Sequence, residues 1–394
     1  MPETSERIGQ IQAALAESEL AAVVLRLAEN VVLATRWYAQ IPGLALAVVG
    51  RHGAALLVPE YEAEEAAAVW PGDIRTFPAI RFDGPATGAE LLRQLGDLAG
   101  EYDARGGAVG FEGSFETIAP ASIHGEPNAV GLPTQALIKA AFQTEDLRDF
   151  TEPLEAMRAI KTEDEIEAIR RTNEIAVFGL EAFREHSIPG KTEVEVMAAV
   201  EHAIATHGHG HKRARWVRGF CTIYSGPDLA DGWKYWRART RPIERDDVVM
   251  LELGTVADGY WSDHTRTVVA GRPTPRLQEA YDAMQGAVRA GFAAAKAGAT
   301  GGDVDKASRD AIAARGFTQF PHHTGHGTGF RYHESRPQLV PDSPHVLSTG
   351  NVIITEPGIY GPELNGGVRH EDNAVVTGDG ADVLATTSYG LGLD

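Results

Sequence analysis

The chain has 394 residues, 43% hydrophobic and 23% charged, the balance of a folded globular protein of one large domain or two ordinary ones, not of a disordered one. A formal net charge of -19 would repel a phosphate backbone over most of the surface, so no nucleic-acid partner is expected. A lone cysteine, Cys221, excludes an internal disulfide and fits a reducing compartment.

The opening MPETSERIGQ is polar and lacks the apolar centre of a signal peptide. No apolar run reaches the roughly 18–20 residues of a membrane span. A cytoplasmic protein with no membrane partner is therefore expected. Along the first part of the chain, AAVVLRL (21–27), LALAVVG (44–50) and AALLVPE (54–60) read as strands. AEEAAAVW (63–70) and GAELLRQLGDLAGEYDARG (88–106) read as helices, and GAVGFEG (107–113) returns to strand. Interleaved strands and helices predict an α/β layer domain over 1–155, without titratable residues at catalytic spacing.

A boundary is expected near 151–160, with a second domain over 156–394. Thr162 and Glu165 form a capping-box signature, and Ile166, Ile169, Ala176, Leu180 and Phe183 follow at helical spacing. IPGK (188–191) breaks that helix. Thr192 and Glu195 then open another, with Val196, Val200 and Ile204 on one face. Further helices are predicted over 276–297 and 303–315, with hairpin-like strands between and after them. The class is α+β.

The chemistry concentrates in three places. In LELGTVADGYWSDHTRT (251–267) a turn signal, Asp258-Gly259, separates Glu252 from Asp263. A symmetric hairpin centred on Ala257/Asp258 would set the two acids directly opposite on one face of the sheet. In VIITEPGIYGPELNGGVRHEDNAVV (352–376), Glu356 and Glu371 fall opposite each other by the same test. Like charges paired across strands repel, so two buried pairs call for a counter-charge, and a divalent cation supplies it. The third place is HHTGHGTGFRYHES (322–335), where glycines that permit close backbone approach frame His326. Four carboxylates and an imidazole favour Mn²⁺, Co²⁺ or Fe²⁺ over structural zinc. Bridging carboxylates would allow two ions about 3.5–4 Å apart, which together activate water in a hydrolytic reaction.

These motifs resemble those of the creatinase/prolidase branch of the M24 metallopeptidases, the methionine-aminopeptidase-like family with the pita-bread fold. The hairpin ELGTVADGYWSD, the element GHGTGFRYHE, TEPGIY and VRHED are similar to its signature elements. MRAIKTEDEIEAIRRTNEIA resembles the opening of its catalytic domain, and ENVVLATRWYAQIPGLALAVVGRHG its N-terminal domain, so the likeness covers nearly the whole chain. It implies a pita-bread catalytic domain preceded by an α/β creatinase-like domain, and a homodimer. It further implies that Glu252, Asp263, His326, Glu356 and Glu371 hold two divalent ions, Mn²⁺ first and Co, Fe or Zn as alternatives. Asp263 and Glu371 would bridge. Glu356 would also act as general base toward a metal-activated water. His322 and His333 match the family's substrate-contacting and transition-state histidines, and Arg369 an arginine that backs the ligands.

Two departures stand out. Glu252 occupies a position where most members carry Asp, which weakens the ion that this residue would bind. The upstream histidine of the family is missing from SGPDLADGWKYWRARTRPIERDD (225–247), where Tyr235 falls at or near its place between Trp233 and Trp236. A phenol cannot replace an imidazole as proton shuttle near neutral pH without a large pKa shift. The implied activity is Xaa-Pro dipeptidase or aminopeptidase. The alternative is a diverged small-molecule enzyme of the same fold, hydrolysing ectoine or creatine or cleaving a sulfonium osmolyte, with the three aromatics walling a cationic group. A non-catalytic binding protein is a third class. In HGHGHKRARWVRG (207–219), Arg213 and Arg215 are candidates for a substrate carboxylate, and the alternating histidines read as a solvated loop.

Overall fold

The computed structural model describes residues 3–79, 85–113, 130–234, 237–385, 387 and 390–393. The chain divides into two compact units, Met1–Arg158 and Ala159–Asp394.

In the first unit the elements run α1 (Glu3–Glu17), β1 (Ala22–Leu25), α2 (Ala28–Thr35), β2 (Leu46–Gly50), β3 (Gly53–Pro59), α3 (Ala63–Ala67), β4 (Asp73–Phe77), α4 (Thr87–Glu101), β5 (Val109–Phe111), α5 (Leu132–Phe142), β6 (Leu147–Asp149) and α6 (Thr151–Ala159). The strands join in one sheet, order β4-β3-β2-β1-β5-β6. Antiparallel pairing holds β1–β2 and β2–β3, whereas β3–β4, β1–β5 and β5–β6 are parallel. Val24, Val48 and Leu57 of the sheet pack with Leu95, Leu98, Ile138 and Phe142 of α4 and α5. Helices α1, α2, α5 and α6 fall outside the elements predicted from the sequence. In α2 the reason is that Val31, Val32, Leu33 and Ala34 are all buried, which leaves no helical stripe to detect.

The second unit starts with α7 (Glu163–His186) and α8 (Glu193–Gly208), each opened by the expected reciprocal capping box at Thr162/Glu165 and Thr192/Glu195. A three-stranded meander follows: β7 (Val217–Ser225), β8 (Val248–Ala257) and β9 (Tyr260–Val269). Next come α9 (Pro275–Ala294), α10 (Gly301–Ala313), β10 (Gly325–Gly327), β11 (Glu334–Leu339), β12 (Val352–Thr355), β13 (Gly358–Gly361), β14 (Gly366–Arg369), β15 (Asp372–Val376) and β16 (Ala381–Val383). These strands form a sheet of order β11-β10-β12-β15-β16 and a separate β13–β14 pair. Among the described residues no helix is long and apolar enough to cross a membrane.

Strand β8 is buried on both faces, and its alternation sorts the acids. Val249, Leu251 and Leu253 pack with Ile175, Leu180, Phe183, Val196, Val200 and Ile204 of α7 and α8. Val248 and Met250 point the other way, into a core with Leu277, Met284 and Ala287 of α9 and Ile359 and Val368 of the β13–β14 pair. Glu252 continues that second face.

The predicted register of this hairpin needs correction. Glu252 pairs with Thr265 and Asp263 with Gly254, so the two acids are diagonal, not opposite. The turn residues are Asp258 and Gly259, at φ 50° and 87°, which is a two-residue turn with both positions left-handed. Its centre lies one residue beyond the predicted one, and the pairing shifts by two. Because side chains alternate with period two, that shift leaves both acids on the same face. The other hairpin keeps its predicted register. Thr355–Asp372 and Gly358–Arg369 share one index sum, which is also that of 356 and 371. Glu356 and Glu371 thus fall in the gap between the two ladders.

Candidate metal centre

Three stretches of backbone converge on one buried cluster. Hairpin β8–β9 supplies Glu252 and Asp263, β10 supplies His326, and the gap between ladders supplies Glu356 and Glu371. None of the five is more than 6% exposed, so no bulk water screens them. The approach of β10 needs its glycines: a Cβ on Gly325 would meet the Ile354 carbonyl oxygen at 2.0 Å, and one on Gly327 the Arg336 carbonyl oxygen at 2.2 Å. Beyond β10, residues 328–334 return His333 to the cluster, its ring centroid 4.3 Å from that of His326.

Within the cluster, ligating atoms of Glu252, Asp263 and Glu371 lie within 4.8 Å of one another, as do those of Asp263, His326 and His333 and those of His323, His326 and Glu356. His326 Nδ1 lies 2.8 Å from the Gly327 carbonyl oxygen, to which it donates, and this leaves the Nε2 lone pair facing Asp263 Oδ2 at 3.6 Å and Glu356 Oε1 at 3.7 Å. Both carboxylate oxygens of Asp263, Glu371 Oε1 and His326 Nε2 are buried without a hydrogen-bond partner. Orphaned acceptors with one focus are the signature of a cation-binding site, because leaving such groups unpaired in a dry interior is costly. Carboxylate oxygens with one imidazole suit a divalent ion.

The electrostatics agree. Burial, followed by the charges of Glu371, Glu252 and Glu356, pushes the Asp263 carboxyl well above the usual range. Glu371 is raised by burial and then by Glu356 and Glu252. A cation among them removes that penalty. Burial also raises Glu356, but the imidazole of His323, whose Nε2 is 2.7 Å from Glu356 Oε1, holds it below the carboxylate range. Burial brings His326 and His322 down to about 4, and both rings are neutral.

Residues 167–378, more than half of the sequence, match metallopeptidase family M24. The chain belongs to metallopeptidase family M24. It is 36% identical to the Xaa-Pro dipeptidase of Pyrococcus furiosus over 64% of this chain and 70% of that one. It is 37% identical to a probable dipeptidase, PepE, of Mycobacterium tuberculosis over 59% of this chain and 60% of that one. Among solved structures, the prolidase from Pyrococcus horikoshii superposes with a TM-score of 0.78 at 28% identity, covering 98% of this chain and 99% of the other. The fold class expected from the sequence, a pita-bread unit with an α/β companion, is that of these proteins.

Around the M24 cluster the other sequence candidates take distinct places. Arg369 is buried and ion-paired with Glu252, and its Nη1 donates to the Tyr360 hydroxyl at 3.2 Å. His322 Nδ1 is 2.7 Å from the His323 carbonyl, so its Nε2 accepts from the Tyr360 hydroxyl at 3.0 Å. Trp233 is 42% exposed, with the Lys234 ammonium 5.1 Å from its ring centre. Tyr235 and Trp236 lie outside the described residues. Arg215 stands at the turn end of the β8–β9 hairpin, with its Nε 3.7 Å from Asp258 Oδ1, and Arg213 lies in the short helical turn His211–Arg213 before it. Of the alternating histidines, His209 bonds the Ala205 carbonyl, His211 the Glu174 carboxylate, and His207 and His211 both pack on Phe178.

Sequence reasoning missed four contributors. His323 touches Glu356, and Tyr360 links His322 to Arg369. The Tyr332 hydroxyl donates to Glu252 Oε1 at 2.8 Å. Thr265 sits with its hydroxyl 2.8 Å from Glu252 Oε2 and 2.9 Å from Glu371 Oε2, so its single proton serves one acid or the other. Only Thr265 had a signal: parity places it on the same strand face as Asp263.

Proposed function

We propose that this M24 chain is a metal-dependent Xaa-Pro dipeptidase that works with Mn²⁺. The observation carrying the proposal is the convergence of the partnerless acceptors of Asp263, Glu371 and His326 beside Glu356. Asp263, His326, Glu356 and Glu371 would hold the ion, which when bound supplies a Lewis acid and lowers the pKa of water. The named activities of the Pyrococcus furiosus and Mycobacterium tuberculosis relatives support a dipeptide substrate.

The chain's own groups divide the remaining work. Glu356, held ionised, accepts the proton of the attacking water as general base. His333, whose Nε2 is 3.4 Å from Asp263 Oδ2, stands at the ligand cluster and would polarise the substrate carbonyl. His322, neutral and oriented through Nδ1, presents its other edge with the Tyr360 hydroxyl toward a substrate polar group. The buried guanidinium of Arg369 fixes Tyr360 and Glu252 and adds positive potential where negative charge develops. We extend the proposal to a creatinase-like N-terminal domain in residues 1–155, a homodimeric assembly and a cytoplasmic location.

The test is a substrate screen in added Mn²⁺ with Xaa-Pro dipeptides, Xaa-Pro-Xaa peptides, creatine, ectoine and sulfonium compounds. Hydrolysis of the Xaa-Pro dipeptides is the expected result. Turnover of a non-peptide with every prolyl peptide left intact overturns the reading.

A further inference from the structure

The partnerless atoms of the cluster belong to Asp263, Glu371, His326, His323 and His333, and none belongs to Glu252. Glu252 is equally buried, at 5% exposure, yet its charge is already answered by protein. Its Oε1 accepts from the Tyr332 hydroxyl at 2.8 Å, and its Oε2 is ion-paired with Arg369, with the Thr265 hydroxyl in reach at 2.8 Å. A carboxylate offers about four acceptor positions on two oxygens. With a guanidinium on one oxygen and a phenol on the other, this acid cannot also chelate a cation through both. The guanidinium is held from behind as well: Nε donates to Thr265 Oγ1 at 3.1 Å and Nη1 to the Gly232 carbonyl at 3.3 Å and to Tyr360. Such a clamped, desolvated charge does not swing away, because leaving either partner unpaired in the interior is strongly unfavourable.

We propose that this chain holds one divalent ion, on Asp263, His326, Glu356 and Glu371, and that the Arg369 guanidinium paired to Glu252 takes the place of a second ion. The inference rests on the reading of those four residues as ligands. It assigns Glu252 and Arg369 a positioning role: a fixed, internal ion pair that sets metal stoichiometry. The extra methylene of Glu over Asp is the reach that the pairing uses, so shortening it frees a carboxylate for metal.

The experiment is a metal count on the full chain. Protein stripped by chelator dialysis is titrated with Mn²⁺ by calorimetry, and gel-filtered samples are analysed for manganese. The expected result is one ion per chain for the wild type and two for Glu252→Asp. Electron paramagnetic resonance of the Mn²⁺-saturated wild type gives a readout that needs no variant, and it is expected to show an isolated ion. An exchange-coupled Mn²⁺ pair, or two ions of similar affinity in the wild type, overturns the proposal. A folded Glu252→Asp protein that still takes one ion overturns the role given to Glu252. Prolyl-dipeptide hydrolysis measured on the same samples reports separately on the proposed function. One ion without hydrolysis would sink that reading and leave the stoichiometry standing.

Discussion

Lys161 Nζ lies 2.6 Å from Glu334 Oε2, and both side chains are almost wholly buried. The pair ties the segment before α7 to the residue that follows His333, and Glu334 Oε1 accepts from the Phe330 backbone N–H at 2.8 Å. The turn between is tight: Gly329 has φ +133°, and a Cβ there would meet Ile169 Cδ1 at 2.6 Å and Lys161 Cε at 2.9 Å. Removing one partner strands a buried charge, which costs about 3–5 kcal/mol. Lys161→Met is therefore expected to lower stability by that amount in denaturant unfolding. The double variant Lys161→Met/Glu334→Leu should recover most of it.

Asp263 carries two of the partnerless oxygens, and Asn removes its charge at constant size. Asp263→Asn is expected to lose bound Mn²⁺ and to lower kcat/KM by about 100-fold or more, since ion and water activation go together. Elemental analysis and steady-state kinetics check this. Chelator treatment of the wild type should abolish activity, and added Mn²⁺ should restore it. Retention of a full complement of ion in Asp263→Asn would remove this residue from the ligand set.

Thr265 is placed to steady the carboxylates of both strands through one hydroxyl. Thr265→Val keeps shape and removes that donor and acceptor. The expected effect is a loss of about 10- to 100-fold in Mn²⁺ affinity, the range typical of groups that orient ligands. Calorimetric titration measures it, and an unchanged affinity contradicts the assignment.

Asp258 accepts from the backbone N–H groups of Arg215 and Trp216 at 3.2 and 3.1 Å and pairs with Arg171 Nη2 at 3.1 Å. These contacts fix the hairpin turn, and the Arg215 side chain lies against it, its Nε 3.7 Å from Asp258 Oδ1. Arg215→Ala should lower Tm slightly and leave KM for a prolyl dipeptide unchanged. A tenfold rise in KM with an unchanged Tm would restore Arg215 as a substrate contact.

Glu112 gives the first unit a pH dependence of its own. It is 2% exposed and accepts from the Arg26 and Leu27 N–H groups and from Asn30. Burial, only partly offset by these bonds, raises its carboxyl to about 7. A folded pKa above the unfolded value of about 4.3 means that the native state binds the proton more tightly. The contribution is fully present below pH ~4.3 and is lost as pH rises through about 7, a change of up to about 4 kcal/mol. Unfolding of the wild type over that window should show the decline, and Glu112→Gln should flatten it.

Local chemistry determined much of this protein from the sequence. The capping boxes at Thr162 and Thr192 need only a hydroxyl and a carboxylate three residues apart. Asp258-Gly259 marked the hairpin because both positions must be left-handed, and a turn of two residues puts Glu252 and Asp263 on one face, a relation that survives an even shift of register. These follow from backbone geometry within a few residues. The tertiary structure decided the rest. It set the register two residues from the expected one, brought His323 to Glu356, and gave Glu252 to Arg369 and Tyr332. Side chains a hundred residues apart choose partners by packing and by the cost of leaving a buried charge unanswered, and no local period encodes that choice.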